Sequence, residues 1–330
     1  MNNELQLFKS CLGPTLERYL ELKQSLGRGY AVEFKVFKHL DSFLLREHTD
    51  LNAGTFSKWC GTRENLSPTV RRSWMRIVRN FCIYRRRTQP NCYVPDPSLF
   101  PAKHQSVRPH IFSDPQASQL LVEIDRLRPS NNSPLRAIGF RTAFILFYTS
   151  GLRSGELIRL RIGDYNSKEH TLLIRESKFH KSRLIPLSQD GWTAIERYLE
   201  VRRSRGFPSG VNSPIIWSKN GVGGQYTGTG LRTTFQFLFE KTGIRCQNGD
   251  LPRIHDFRHT FAVRALLRWY QEKSDPQSKL PLLSIYMGHV SIVSTEYYLQ
   301  FIDELADAAS ARFAEKYGNL ATLSIHRGVT

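Results

Sequence analysis

Between Gln89 and Pro109 the chain shows no helical or strand period, and Pro90, Pro95, Pro97, Pro101 and Pro109 punctuate it. Proline fixes φ and removes an amide donor, so a stretch this rich in it neither continues a helix nor sits inside a sheet. The chain must therefore fold as separate units on either side. Its 330 residues are long enough for two. The expected organisation is a helical unit over residues 1–100, a basic proline-rich linker over 101–110 that carries Lys103 and Arg108, a second domain over 111–317 and a tail over 318–330. The expected fold class is mainly α with a small β-sheet.

In the first unit, Leu16, Leu20, Leu22, Phe34, Phe37, Leu40, Phe43 and Leu44 recur at helix-compatible spacing, interrupted by Gly27 and Gly29. A further helix is predicted after Leu66, with Ser67 as N-cap and Pro68 at its first position. Trp74, Ile77, Phe81 and Tyr84 give that helix one apolar face, and Arg72, Arg76, Arg79 and Arg86 fall near the opposite one. From Lys58 to Arg87 there are nine basic residues against the single acid Glu64. A charged helix face is ordinarily just solvated. A face of nearly one sign repels itself unless something neutralises it, which points to a phosphate backbone.

The whole chain points the same way. Its formal charge is +18, an excess that favours a polyanionic partner bound with counterion release. Apolar content of 40% excludes a disordered polycation. Cys11, Cys60, Cys82, Cys92 and Cys246 have no metal-like spacing and read as reduced thiols of a reducing cytoplasm. The start, Met1-Asn2-Asn3-Glu4-Leu5, has no secretory pattern, and apolar runs such as Ala143–Tyr148 are too short to span a bilayer. The expected setting is a reducing cytoplasm, with no membrane partner.

In the second domain, helical patterns at Asp114–Leu127 and Leu135–Thr149 precede two strand-like runs, Thr171–Glu176 and Arg183–Pro186. The segment between them, residues 177–182, makes a hairpin tip with Lys178 and Lys181. Pro214–Trp217 reads as a further strand. The loop Gly221–Gly228 completes neither a GxGxxG nor a Walker pattern, so a nucleotide site is not predicted. Helices are expected around Leu231, Phe235 and Leu238, and at Arg253–Tyr270, Pro281–Met287, Ser294–Phe301 and Asp303–Tyr317.

Three segments hold the residues suited to chemistry. In Gly151-Leu152-Arg153-Ser154-Gly155-Glu156, Ser150 and Gly151 suit a turn and N-cap, so Arg153 projects from a helix N-terminus that favours an anion, with Glu156 placed to hold the guanidinium. Taken alone, this is more often a surface ion pair. In His255-Asp256-Phe257-Arg258-His259, His255 and Arg258 share a face, a planar fork beside an imidazole. The rival zinc reading, with His255 and His259 at i and i+4, puts Asp256 where a glutamate base belongs and an arginine beside the metal. The third segment is Gly288-His289, followed nine residues later by Tyr298. Adjacent Tyr297 and Tyr298 would point about 100° apart on a helix, so one alone can face a given cleft.

This order and spacing resembles the tyrosine recombinases of the phage-integrase family. That family's pattern is an arginine in G-L-R-x-x-E, a hairpin lysine, H-x-x-R, G-H-x-S-[IL], and a tyrosine nine residues after the last histidine. Here these are Arg153, Lys178, His255 with Arg258, Gly288-His289-Val290-Ser291-Ile292, and Tyr298. The hairpin tip is not glycine-rich, so Lys181 is an alternative to Lys178, and Met287 replaces the usual leucine. The resemblance implies a helical core-binding domain followed by a mixed α/β catalytic domain. It implies a 3′-phosphotyrosyl link at Tyr298, charge stabilisation by Arg153 and Arg258, Lys178 as general acid, His255 as general base and His289 as a phosphate hydrogen-bond donor. No cofactor or metal is implied, because the covalent link conserves the bond energy. Double-stranded DNA is the expected partner, bound by Arg72, Arg76, Arg79, Arg86, Lys103, Arg108 and Lys181 as well, with a homotetramer or an assembly with sister recombinases.

The expected role is integration, excision or transposition of a mobile element. A chromosome-dimer resolvase is the alternative within the family. A type IB topoisomerase-like enzyme uses the same chemistry as a monomer, whereas the segment after the nucleophile, residues 302–309, reads as a helix with a small apolar face, which the resemblance implies docks on a neighbouring protomer. A non-enzymatic DNA-binding protein of the same fold predicts a broken catalytic set, and no position here is lost.

Overall fold

Apolar residues spaced three and four apart turn most of the chain into helices. The computed structural model describes residues 7–27, 29–102, 108–175, 182–272, 276–289, 291 and 295. The chain divides into two units, residues 1–107 and 108–330.

The first unit has four helices: α1 (Gly13–Ser25), α2 (Ala31–Glu47), α3 (Ala53–Gly61) and α4 (Pro68–Arg85). The break between α1 and α2 falls in the Gly27–Gly29 region, where Gly27 adopts a positive φ of 75°. Phe37, Leu40, Trp59, Val78 and Phe81 are buried in one core. Pro68 opens α4; Ser67 holds the N-cap position but makes no side-chain cap bond. Arg76 on α4 and Arg86 at its C-cap are exposed, and Arg72 and Arg79 are half-buried. Arg72 donates to the Pro101 carbonyl at 2.5 Å. Arg85 departs from the basic surface run: it is buried, with Nη1 on Asp50 Oδ1 at 2.7 Å.

The second unit is helical around a small sheet. Its elements are α5 (Asp114–Asp125), α6 (Arg136–Ser150), α7 (Ser154–Arg159), β1 (Tyr165–Asn166), β2 (Thr171–Ile174), β3 (Arg183–Pro186), α8 (Gln189–Ser204), α9 (Gly228–Thr242), α10 (Ile254–Gln271) and α11 (Pro276–Met287). The strands are antiparallel in the order β1-β2-β3, with Leu172 opposite Ile185. Phe140, Ala143, Phe144, Leu146 and Phe147 bury most of α6, which makes it the central post of this unit. Phe257 of α10 packs on Phe112 at 4.5 Å and Phe144 at 5.2 Å between ring centroids. That one ring anchors the helix that carries His255 and Arg258.

Four expectations change. The two-residue β1 is added to the hairpin, too short to leave a period in the sequence. Helix α8 was not anticipated, although Trp192, Ile195 and Leu199 are spaced for it and Ser188 caps it through Gly191 N. Pro214–Trp217 is not a strand: Arg161 bridges Pro214, Trp217 bridges Gln225, and the buried Arg202 guanidinium takes the Pro214 and Ile215 carbonyls that a neighbouring strand would need. Helix α11 starts at Pro276 and runs through Pro281. The hydrogen bond lost there is outweighed by Leu280, Leu283 and Met287 packing with Ala262, Val263 and Leu266 of α10. The helices expected at 294–301 and 303–317, and the tail, lie outside the described residues, Thr295 excepted. Among the described residues no helix is long and apolar enough to cross a membrane.

Truncating the aromatic anchor tests this packing. Phe257→Ala is expected to cost about 3–5 kcal/mol, the range for emptying a buried aromatic site. Phe257→Leu should lose much less. Urea denaturation of both variants gives the comparison; an alanine variant as stable as wild type contradicts the anchoring role.

Candidate active site

Helix α6 ends at Ser150, and Gly151 turns the chain with φ +59°. A Cβ on Gly151 would lie 2.6 Å from the Phe261 ring, so both conformation and space demand glycine. Ser150 and Gly151 thus end α6, and the N-cap of α7 is Arg153 itself. An anion does sit at that terminus, and it is the chain's own. Glu156 Oε2 accepts from Arg153 N at 3.0 Å, while Oε1 accepts from Arg153 Nη1 at 2.8 Å.

The same local device recurs at α10. Arg253 is its N-cap, and Asp256 accepts from Arg253 N at 2.8 Å and from its Nη2 at 2.9 Å. Asp256 is therefore turned toward the cap rather than placed as a base between two metal-binding histidines. His255 and His259 meet edge to face, 4.8 Å between ring centroids. Arg258, 1% exposed, reaches inward, with Nη1 on the Gly151 carbonyl at 2.6 Å and Nη2 on the Met287 carbonyl.

Helix α11 ends in a Schellman turn. Gly288 has φ +65°, its amide donates to the Ile285 carbonyl at 2.9 Å, and the His289 amide donates to the Ser284 carbonyl at 2.9 Å. This turn leaves three successive carbonyls, and three arginines from three other elements take one each. Arg183 Nε of β3 donates to Tyr286 O at 2.7 Å, Arg258 to Met287 O, and Arg153 Nη2 to Gly288 O at 3.0 Å. Cations at a helix C-terminus satisfy carbonyls without intrahelical partners and lie at the negative end of its dipole. His289 follows at once, with Nδ1 2.8 Å from the Thr295 hydroxyl.

Residues 114–304 match the phage integrase family. Two Sinorhizobium fredii proteins named as integrase/recombinases align over nearly their whole length. One, y4rE, is 30% identical over 314 residues, 93% of this chain and 98% of the relative. The other, y4rB, is 28% identical over 305 residues, 92% and 96%. The chain belongs to the phage integrase family. Its fold is shared by solved structures at low identity. The Tn1549 transposon integrase in complex with circular intermediate DNA gives a TM-score of 0.61 at 16% identity, over 91% of this chain and 99% of that one. A lambda integrase dimer bound to a COC′ core site gives 0.56 at 16%, over 85% and 96%.

For this tyrosine-type site-specific recombinase, Arg153, Arg258 and His289 are brought together around one turn. His255 shares the α10 face of Arg258. Lys178, Lys181, Lys103, Tyr297 and Tyr298 lie outside the described residues. Arg108 is exposed, with Nη1 3.4 Å from Gln247 Oε1. Arg183 was not anticipated. It heads β3 and shares the inward face of Ile185 two residues on, and a charged residue in phase with a buried strand position is the signal that marks it.

The electrostatics follow from this crowding. Burial alone would raise the Glu156 carboxyl, but the Arg183 fork and then Arg153 hold its pKa down to about 2. His255 is exposed, so its loss of hydration is partial; that loss, then His259 and Arg258, lowers its pKa to about 4. Burial, then Arg253 and Arg258, lowers His259 to about 4. Burial, then Arg258 and Arg153, lowers His289 to about 3. All three imidazoles are neutral at pH 7.

Folded pKa values below that of a free histidine mean that the unfolded chain takes up protons first as pH falls. Their stabilising contribution is complete above about pH 6.5 and shrinks as pH drops toward 4. The DNA-free protein should lose thermal stability between pH 6.5 and 5, above the ordinary carboxylate range, and His259→Gln should make that fall shallower. Melting curves across this window check it, and a midpoint that stays level or rises contradicts the assignment.

Proposed function

We propose that the chain binds double-stranded DNA and exchanges strands through a covalent bond between Tyr298 and a 3′-phosphate. The observation that carries this is the placement of the Arg153 and Arg258 guanidinium groups on adjacent carbonyls of one helix end, with the His289 ring next in the chain. Two planar forks held side by side fit the non-bridging oxygens of one phosphodiester, where charge grows in the transition state. Among the described residues, Glu156 is the carboxylate shared by Arg153 and Arg183, one negative charge against two guanidinium groups. The site therefore carries surplus positive charge suited to a phosphate.

The step balances without an external energy source. Tyr298 Oη attacks phosphorus, the bond to the 5′-oxygen breaks, and the hairpin lysine, Lys178 or else Lys181, protonates the leaving oxygen. His255 takes the phenolic proton. A pKa of about 4 leaves His255 neutral but a weak base in the free protein. A phosphodiester beside it adds negative charge, which raises the imidazole pKa, so base strength arrives with the substrate. His289, its Nδ1 engaged by Thr295, would reach the phosphate through Nε2. A 5′-hydroxyl from a second strand reverses the sequence and joins it.

The role we favour is integration, excision or transposition of a mobile element by four protomers on two duplexes. Coverage supports it: the relatives named integrase/recombinase align over 96–98% of their length, whereas the tyrosine recombinase XerC of Anoxybacillus flavithermus aligns over 59% of its own at 28% identity. The α4 face with Arg72, Arg76, Arg79 and Arg86, together with Lys103, Arg108 and Lys181, would supply backbone contacts that set register. The compartment we favour is the bacterial cytoplasm, on the nucleoid when DNA is bound.

A nicked duplex carrying candidate element ends traps the covalent step, because the released 5′ fragment diffuses away. Wild type should give a denaturant-stable protein–DNA adduct, Tyr298→Phe none, and Arg153→Ala an adduct formed roughly 10²–10³ more slowly. An undiminished adduct in Tyr298→Phe moves the nucleophile elsewhere, to Tyr297 first.

A further inference from the structure

Arg183 is the one arginine at this helix end that the proposed chemistry does not use. Its side chain is 9% exposed. Both terminal nitrogens fork onto Glu156, Nη1 to Oε1 and Nη2 to Oε2, each at 3.0 Å, while Nε holds the Tyr286 carbonyl at 2.7 Å. Those same two carboxylate oxygens hold the side chain and the amide of Arg153. Glu156 is 1% exposed at its side chain, so Arg183 and Arg153 share a counter-ion almost removed from water. The fit against the turn is equally close: a Cβ at Gly288 would stand 2.8 Å from Arg183 Nη1.

We infer that Arg183 is a positioning residue, which through Glu156 sets the angle of the Arg153 guanidinium and through the Tyr286 carbonyl sets the turn that presents His289. What the site does rests on the preceding reading; that Arg183 holds it together does not. A bidentate fork plus a third bond from Nε holds the planar group at three points, a pattern a lysine ammonium cannot reproduce. Its fork is closed on both oxygens of a buried carboxylate, which makes it a brace rather than a contact to DNA. Without it, Glu156 is free to tilt, Arg153 follows its partner, and the α11 end loses the bond at its first carbonyl. Reacting groups displaced by even about 1 Å lose roughly 10²-fold in rate.

Two arms test this on the full chain. The first needs no DNA: hydrogen exchange at the Gly288 and His289 amides, which donate to Ile285 and Ser284, reports opening of the turn. Arg183→Lys should speed both by roughly tenfold or more, the opening expected when one charge-assisted bond goes, with the melting transition still cooperative. The second is single-turnover cleavage of the nicked duplex. The variant should bind DNA like wild type, form adduct roughly 10²-fold more slowly, and lose activity at a higher pH on the acid side. The sign of that last shift follows from Glu156: without the fork, burial is less opposed and its carboxyl takes a proton more readily. A stability role alone moves neither the acid limb nor the split between binding and rate.

Arg183→Gln, which keeps a donor near Tyr286, provides a second variant and should recover part of the exchange protection but not the rate. Wild-type exchange together with a wild-type pH profile overturns the inference. So does weakened DNA binding at an intact cleavage rate, which would make Arg183 a DNA contact, and so does global unfolding of both variants, which would assign it to stability alone. If wild type forms no adduct with any DNA tried, the recombination reading falls while the exchange arm still decides the role of Arg183.

Discussion

Like charges do not gather in a low-dielectric site unless something of opposite sign is fixed there first. Arg153, Arg183 and Arg258 come from the cap of α7, the start of β3 and the first turns of α10, and each donates to one of three consecutive carbonyls at the end of α11. A helix C-terminus carries both the acceptors and the negative end of the dipole. Glu156, ionised even where burial opposes it, supplies a full negative charge to Arg153 and Arg183. These two features let the guanidinium groups pack together before any phosphate arrives. They are held by backbone and by one buried carboxylate, so they pay little reorganisation when substrate binds.

The glycines at the two critical turns belong to the same constraint. Gly151 lends its carbonyl to Arg258, and a side chain there would run into Phe261. Gly288 lends its carbonyl to Arg153, and a side chain there would push on Arg183. Both have positive φ, so each joins a helix end to an arginine by a conformation that L side chains resist. The motif letters around them therefore encode geometry as much as chemistry: glycine makes the turn, and the turn offers the carbonyl.

Much of this was legible because chemistry at fixed spacing leaves a mark in sequence. The helices with strong periods, the hairpin strands and the Arg153–Glu156 pair are legible from residues alone, and the family resemblance rests on six matched positions. What escaped depends on tertiary contact. A two-residue strand has no period. The Pro214–Trp217 run looks like a strand until Arg202, buried far from any motif, takes its carbonyls. Pro281 marks a helix start in sequence, and only the packing of α11 against α10 carries the helix through it. Arg183 looked like the polar end of a strand, and its partners lie 27 and 103 residues away in the chain.

The most direct test of the central claim is a structure of the chain bound to a DNA duplex that carries the nicked target site. The account predicts the scissile phosphate against both Arg153 and Arg258, with His289 on the same group and the three arginines still seated on the Tyr286, Met287 and Gly288 carbonyls. A phosphate bound elsewhere, or guanidinium groups that must leave those carbonyls to reach it, would contradict a pocket assembled in advance by the end of α11.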